Sequence, residues 1–263
     1  MPLAFVTAGF VVGILVGLTG VGGGSIMTPL LVLVFAIHPS AAIGTDLLFA
    51  AITKTAGTLV HGANHTVDWR VVRLMASGSL PGAVFALLVL DRIGVHGHAA
   101  NELSIVLLGV MLVVAAISLA LKPWLNRHRK PRERGPSRAA SPALTIAPTV
   151  ALGLVLGITV TLSSVGAGAL GTVALIYLYP DLPISRIVGS DIAHAVALTL
   201  VAGLGRLWLH SIDFGMLGAL LAGSIPGIVI GSMLVRKAPE QVLRIALAII
   251  LCFVGLRMLW KVV

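Results

Sequence analysis

The sequence predicts an all-α polytopic membrane protein made of two inverted five-segment repeats with broken or re-entrant helices. Three observations carry that prediction. The chain of 263 residues is 58% hydrophobic and 10% charged, with a mean hydropathy of +1.08, whereas a soluble domain carries about 25% charged residues. Its apolar residues gather into two groups of five segments on either side of one basic, proline-containing stretch. Finally, the run GLTGVGGGSIMTPLL at 17–31 places Gly20, Gly22, Gly23 and Gly24 where an uninterrupted apolar helix would otherwise be expected.

The segments are justified in chain order. The first, near 3–19, carries Gly9, Gly13 and Gly17 four residues apart, the spacing small residues take where membrane helices pack closely, so Gly13→Ala is expected to be milder than Gly23→Val in the break that follows. The N-terminal Met1 to Ala8 lacks a positive flank and runs straight into this segment, so no cleavable signal is expected. Four glycines in the five positions 20–24 exceed what packing requires and break the helix. The next segment, 25–36, has 12 residues. At about 1.5 Å per residue a helix of that length reaches about 18 Å, well short of a hydrocarbon core about 30 Å thick. A helix, an unwound loop at membrane depth and a half-helix returning toward its side of origin is the simplest arrangement, and such backbone must be buried in protein or face a wet cavity. Segments 42–61, 69–90 and 103–121 follow, then 144–162, the second short segment 169–180, and 188–208, 214–235 and 241–260. Residues 1–121 are thus a first membrane repeat, 122–142 a linker and 143–263 a second membrane repeat.

The two groups of five are copies of one another at a shift of 144 to 145 residues: GVGGG at 20–24 faces SVGAG at 164–168, GTD at 44–46 faces GSD at 189–191, and GSLPG at 78–82 faces GSIPG at 223–227. His65 likewise faces His210, and Asp68 faces Asp213. An odd number of segments per copy inserts the copies in opposite orientations, an arrangement many secondary transporters share. Of the eighteen Lys and Arg residues, seven lie between Lys122 and Arg138, so the net charge of +9 is concentrated in the linker. That marks the linker as cytoplasmic. Tracing outward from it puts Arg70, Arg73, Arg236, Lys237 and Arg244 inside as well, and both termini outside. The basic cluster is therefore read as a topology signal rather than a nucleic-acid surface. The lone Cys252 permits no intrachain disulfide.

Glycines at membrane depth allow left-handed backbone and close approach of a ligand, and the half-helices starting near Ser25 and Ala169 present free N–H groups at a positive dipole end. That combination makes an anion site. The candidate substrate-binding residues are Gly20, Gly22, Gly23, Gly24 and Ser25 with Lys54 from the first copy, and Ser164, Gly166, Gly168 and Ala169 from the second. A phosphate loop is set aside, because no strand precedes the glycines.

These residues resemble the TauE/SafE sulfite-exporter-like permeases over essentially the whole chain. The resemblance rests on the GxxxGxxGVGGGxxxxPxL pattern ending at Leu31, the GTD at 44–46 and the GSLPG at 78–82, with degenerate second copies. It implies a multi-pass permease of the cell membrane that moves small sulfur-containing anions such as sulfite or organosulfonates. The second copy departs from the pattern, with Ala167 in place of Gly23 and Val173 in place of Pro29.

Ionised groups at membrane depth are costly and usually functional. Lys54 shares a helical face with Asp46 and Ala50; it attracts the anion or forms a structural ion pair with an acid on another helix. Asp46 and Asp191 are read as caps opening their helices, with proton carriage, shared by His194, as the second reading. Arg206 is expected to snorkel toward the outer surface, and its counterpart His61 to lie near the inner one. Pro81 and Pro226 are candidate hinges. The expected partners are a small anionic substrate and membrane lipid, with no nucleic acid, cofactor or metal. No HExxH, GxGD or recognisable serine nucleophile supports an intramembrane enzyme. A passive anion channel is the closer alternative to a coupled permease.

Overall fold

The computed structural model describes residues 2–19, 24–63, 66–95, 97–128, 142–234 and 240–260. They form ten helices: α1 (Pro2–Thr19), α2 (Gly24–Leu33), α3 (Pro39–Ala63), α4 (Trp69–Ile93), α5 (His98–His128), α6 (Pro142–Ser163), α7 (Ala169–Leu178), α8 (Ile184–Trp208), α9 (Phe214–Leu234) and α10 (Glu240–Trp260). No strand occurs among the described residues. Each apolar segment read from the sequence holds one helix. The largest departure is α5, whose backbone stays helical from 122 to 128, within the stretch assigned to the linker. The remaining linker residues 129–141, and Arg236 and Lys237, lie outside the described residues.

Six helices, α4, α5, α6, α8, α9 and α10, contain stretches long and apolar enough to cross a membrane, while α1, α2 and α7 give shorter apolar stretches. Outward faces carry Phe253, Met233, Trp208 and Trp260, all exposed, as side chains facing lipid would be.

The dominant packing partners are α1 with α9, α4 with α6, α5 with α10, and α3 with α8. Exchanging the two halves leaves this pairing unchanged, since α1 corresponds to α6 and α4 to α9. Glycine governs the first two pairs. A Cβ on Gly9, Gly13 or Gly17 would strike the backbone of α9 at Leu220, Ser224 and Ile228, and one on Gly223, Gly227 or Gly231 would strike α1 at Val6, Phe10 and Ile14. Likewise Gly78 and Gly82 press on Val150 and Leu154 of α6, and Gly153 and Gly157 on Met75 and Ser79 of α4. The packing role expected for Gly9, Gly13 and Gly17 is present, and the atoms a side chain there would meet are backbone, which cannot rotate aside. Pro81 and Pro226 sit inside α4 and α9, and both helices run through them unbroken.

Helix starts repeat across the halves too. The Asp68 carboxylate accepts from Arg70 N and Val71 N at 3.1 and 3.3 Å to cap α4, and Asp213 accepts from Met216 N at 2.9 Å at the start of α9.

Candidate anion site between two helix breaks

Two interruptions organise the centre of the molecule. In the second, between α6 and α7, Ser164, Gly166 and Gly168 all have positive φ, at 59°, 123° and 114°. Glycine adopts this backbone freely; Ser164 holds it under strain. The Ser163 hydroxyl spans the turn, accepting from Val165 N at 3.2 Å and donating to Thr159 O at 2.7 Å. Of the first interruption, Gly20, Gly22 and Gly23 lie outside the described residues. Its end is placed: Gly24, buried at the start of α2, lies so close to the Ser164 carbonyl that a Cβ there would overlap it, with Asp46 Oδ2 and Ser164 Oγ each 3.3 Å from that Cβ. The two breaks therefore meet.

A carboxylate stands beside each short helix. Thr28 Oγ1 of α2 donates to Asp46 Oδ2 of α3 at 2.5 Å, and Thr172 Oγ1 of α7 donates to Asp191 Oδ2 of α8 at 2.7 Å. Both aspartates are wholly buried. The expectation that they cap their own helices fails, because Asp46 and Asp191 are each the eighth residue of α3 and α8, where the backbone N–H groups are already bonded within the helix. Their partners are instead the short helices. Gly171 has no room for a side chain, because a Cβ would overlap the Asp191 carboxylate. Asp46 Oδ1 has no hydrogen-bond partner among the described residues.

Lys54 lies two turns along α3 from Asp46, half-buried, with Nζ donating to Ala167 O of the second break at 3.2 Å. Asp191 and Asp46 are the acids whose charge reaches its ammonium. His194, buried one turn after Asp191, has Nε2 2.8 Å from Ser79 Oγ of α4, while its Nδ1 has no hydrogen-bond partner among the described residues. Lysine, histidine, two carboxylates and the Ser164 and Ala167 carbonyls of a helix break thus converge.

A family model described as "Sulfite exporter TauE/SafE" matches residues 5–258. The chain belongs to this family. The "probable membrane transporter protein YjnA" of Bacillus subtilis is 38% identical over 260 residues, covering 98% of this chain and all of the relative. The "probable membrane transporter protein YdhB" of the same organism is 23% identical over 95% of this chain and 97% of its own length. A probable membrane transporter protein of Methanocaldococcus jannaschii is 24% identical over 98% and 95% of the two chains. No solved structure gives a significant match. Family membership and the six membrane-length helices make this TauE/SafE-family chain a multi-pass membrane protein, which in bacteria means the cell membrane.

Of the residues nominated from the sequence, Gly24, Lys54, Ser164, Asp46, Asp191 and His194 come together at the meeting breaks. Ser25 is buried beside Gly24. Gly168 and Gly166 shape the second break, and Ala169 starts α7 leaning on apolar side chains of α5. Arg206 corrects its expectation. It does not snorkel, being 0% exposed, with Nη1 donating to Ser40 Oγ at 3.3 Å and Nη2 to Thr161 O at 3.0 Å. Sequence reasoning missed Thr28, Thr172 and Ser79. The two threonines carried a signal, since they occupy the same position of each copy, 144 residues apart.

Proposed function

We propose that this chain is a secondary transporter for small sulfur-containing anions, such as sulfite or organosulfonates, exporting them in a manner coupled to an ion gradient. The observation that carries the reading is the tie between Lys54 and the second helix break at Ala167, beside the point where Gly24 of the first break meets Ser164. In this reading the anion is held by the Lys54 ammonium and by backbone N–H groups around Gly22, Gly23, Gly24 and Ser25 and near Gly166, Gly168 and Ala169, donors toward the positive ends of α2 and α7. Asp46, Asp191 and His194 carry the coupling proton. The halves are inverted repeats, which the exchange-invariant helix pairing supports. The linker is cytoplasmic, both termini lie outside, and Pro81 and Pro226 are the pivots.

Counterflow of labelled sulfite and sulfonates in proteoliposomes tests the reading. Saturable exchange that responds to an imposed proton gradient is expected. Non-saturable flux that ignores the gradient would make the protein a passive channel, and no flux of any sulfur anion would remove the proposed substrate class.

A further inference from the structure

Where α3 begins and α8 ends, about four turns along α3 from Lys54, lies a second positive feature that the central site does not use. Arg206 is the largest wholly buried side chain in the described structure. Burying a guanidinium is expensive, and the usual compensation is a carboxylate. Here there is none: among the described residues no carboxylate oxygen comes within 4.0 Å of the guanidinium nitrogens, and the partners are a serine hydroxyl and a backbone carbonyl. Nε has no hydrogen-bond partner at all among the described residues.

The surroundings add donors rather than acids. Ser40 is the second residue of α3, so the guanidinium lies against the N-terminal turn of a 25-residue helix; Pro39 brings no N–H and Ala42 N donates back to His38 O at 3.0 Å, which leaves the N–H groups of Ser40 and Ala41 without a partner within the helix. Buried Ser211 holds the backbone that carries the arginine, with Oγ donating to Arg206 O at 2.9 Å and its own carbonyl packed on Gly44 of α3. A structural bolt explains one contact, because Nη2 on Thr161 O satisfies a carbonyl in the last turn of α6. It leaves unexplained why the bolt should be a permanent charge with an idle N–H.

We propose that Arg206, with Ser40 and the first turn of α3, forms a second binding station for a small oxyanion or halide, an outer waypoint distinct from the site at Lys54. Its ligand class follows from the chemistry alone: a fork of fixed donors beside a helix N-terminus suits a compact anion and disfavours any cation. Only its place on a transport path rests on the proposed function above.

Bromide tests the station without assuming the substrate. Purified protein in detergent is titrated with sodium bromide against sodium gluconate at constant ionic strength, and the melting temperature is followed. The wild-type melting temperature should rise with bromide, Lys54→Ala should keep at least half of that rise, and Arg206→Gln should lose at least half. An Arg206→Gln variant with the full wild-type rise, or a wild type with no rise, overturns the station. Should Arg206→Gln fail to fold, anomalous scattering from bromide-soaked wild-type crystals decides. A peak beside the Arg206 guanidinium is expected, and its absence overturns the proposal. Failure of sulfite counterflow alongside a positive bromide result would overturn the transport reading and leave the station standing.

Discussion

In the first half of the chain Thr28 on a short helix donates to Asp46 on a long one, and in the second half Thr172 donates to Asp191 in the same way. The correspondence extends to contacts that cross between halves: Asp213 N donates to Thr45 Oγ1 at 3.2 Å, and Asp68 N donates to Ser190 Oγ at 2.8 Å. Gly44 packs on Ser211 O as Gly189 packs on Thr66 O. The charges do not correspond. At a shift of 145 residues Lys54 faces Thr199, His194 faces Phe49, and Arg206 faces His61. The two halves therefore share a skeleton, in which a threonine of each short helix bonds a carboxylate of the long helix that follows it. Lys54, His194 and Arg206 each stand in one half alone.

That contrast can be broken experimentally, and the largest effect is expected from moving the cation. Exchanging Lys54→Thr and Thr199→Lys puts the ammonium at the mate of its native position, where Ala167 O is no longer its partner. Transport should fall at least about 100-fold, equivalent to about 2.7 kcal/mol, with membrane yield preserved; wild-type flux from the exchanged protein would mean that position within the skeleton is immaterial.

A smaller loss is expected where skeleton and chemistry touch. Gly171→Ala forces a methyl onto the Asp191 carboxylate, whereas alanine at Gly218, which meets nothing within 4 Å, is silent. Overpacking of this kind costs about 1–3 kcal/mol, read as a drop in melting temperature together with reduced flux in the first variant alone.

Packing glycines should affect stability and not mechanism. Gly13→Ala and Gly78→Ala, on the two equivalent helix pairs, should each lower the melting temperature by a similar amount while the surviving protein keeps its substrate affinity. Unequal losses would show that the equivalent pairs are not energetically equivalent. The smallest effect belongs to the caps: Asp68→Ala and Asp213→Ala should each cost about 1 kcal/mol, checked by thermal unfolding.

Most of the fold was legible because lipid imposes simple rules. Apolar runs of the right length gave the helices, and Gly20 to Gly24 marked the first break. The end of α5 was not, since that helix continues for a turn and more after its apolar run ends at Leu121. The candidate site was legible in its charged residues, which stand out in an apolar chain. Their partners were not. Reading Asp46 as a cap followed from its place in GTD after a short gap, but α3 begins seven residues earlier at Pro39, and only the three-dimensional approach of α2 reveals Thr28. Arg206 was misread for a similar reason. A cation near a helix end snorkels when lipid surrounds it, whereas here α3 and α6 close over it.

The central claim is that Lys54, at the meeting of the two breaks, holds the anion. Equilibrium binding of labelled sulfite to purified wild-type, Lys54→Arg and Lys54→Ala proteins tests it directly. The account predicts saturable binding by the wild type, weaker binding by Lys54→Arg because the charge is kept and its shape is not, and at least a tenfold loss in Lys54→Ala at unchanged melting temperature. Wild-type affinity in Lys54→Ala would contradict it.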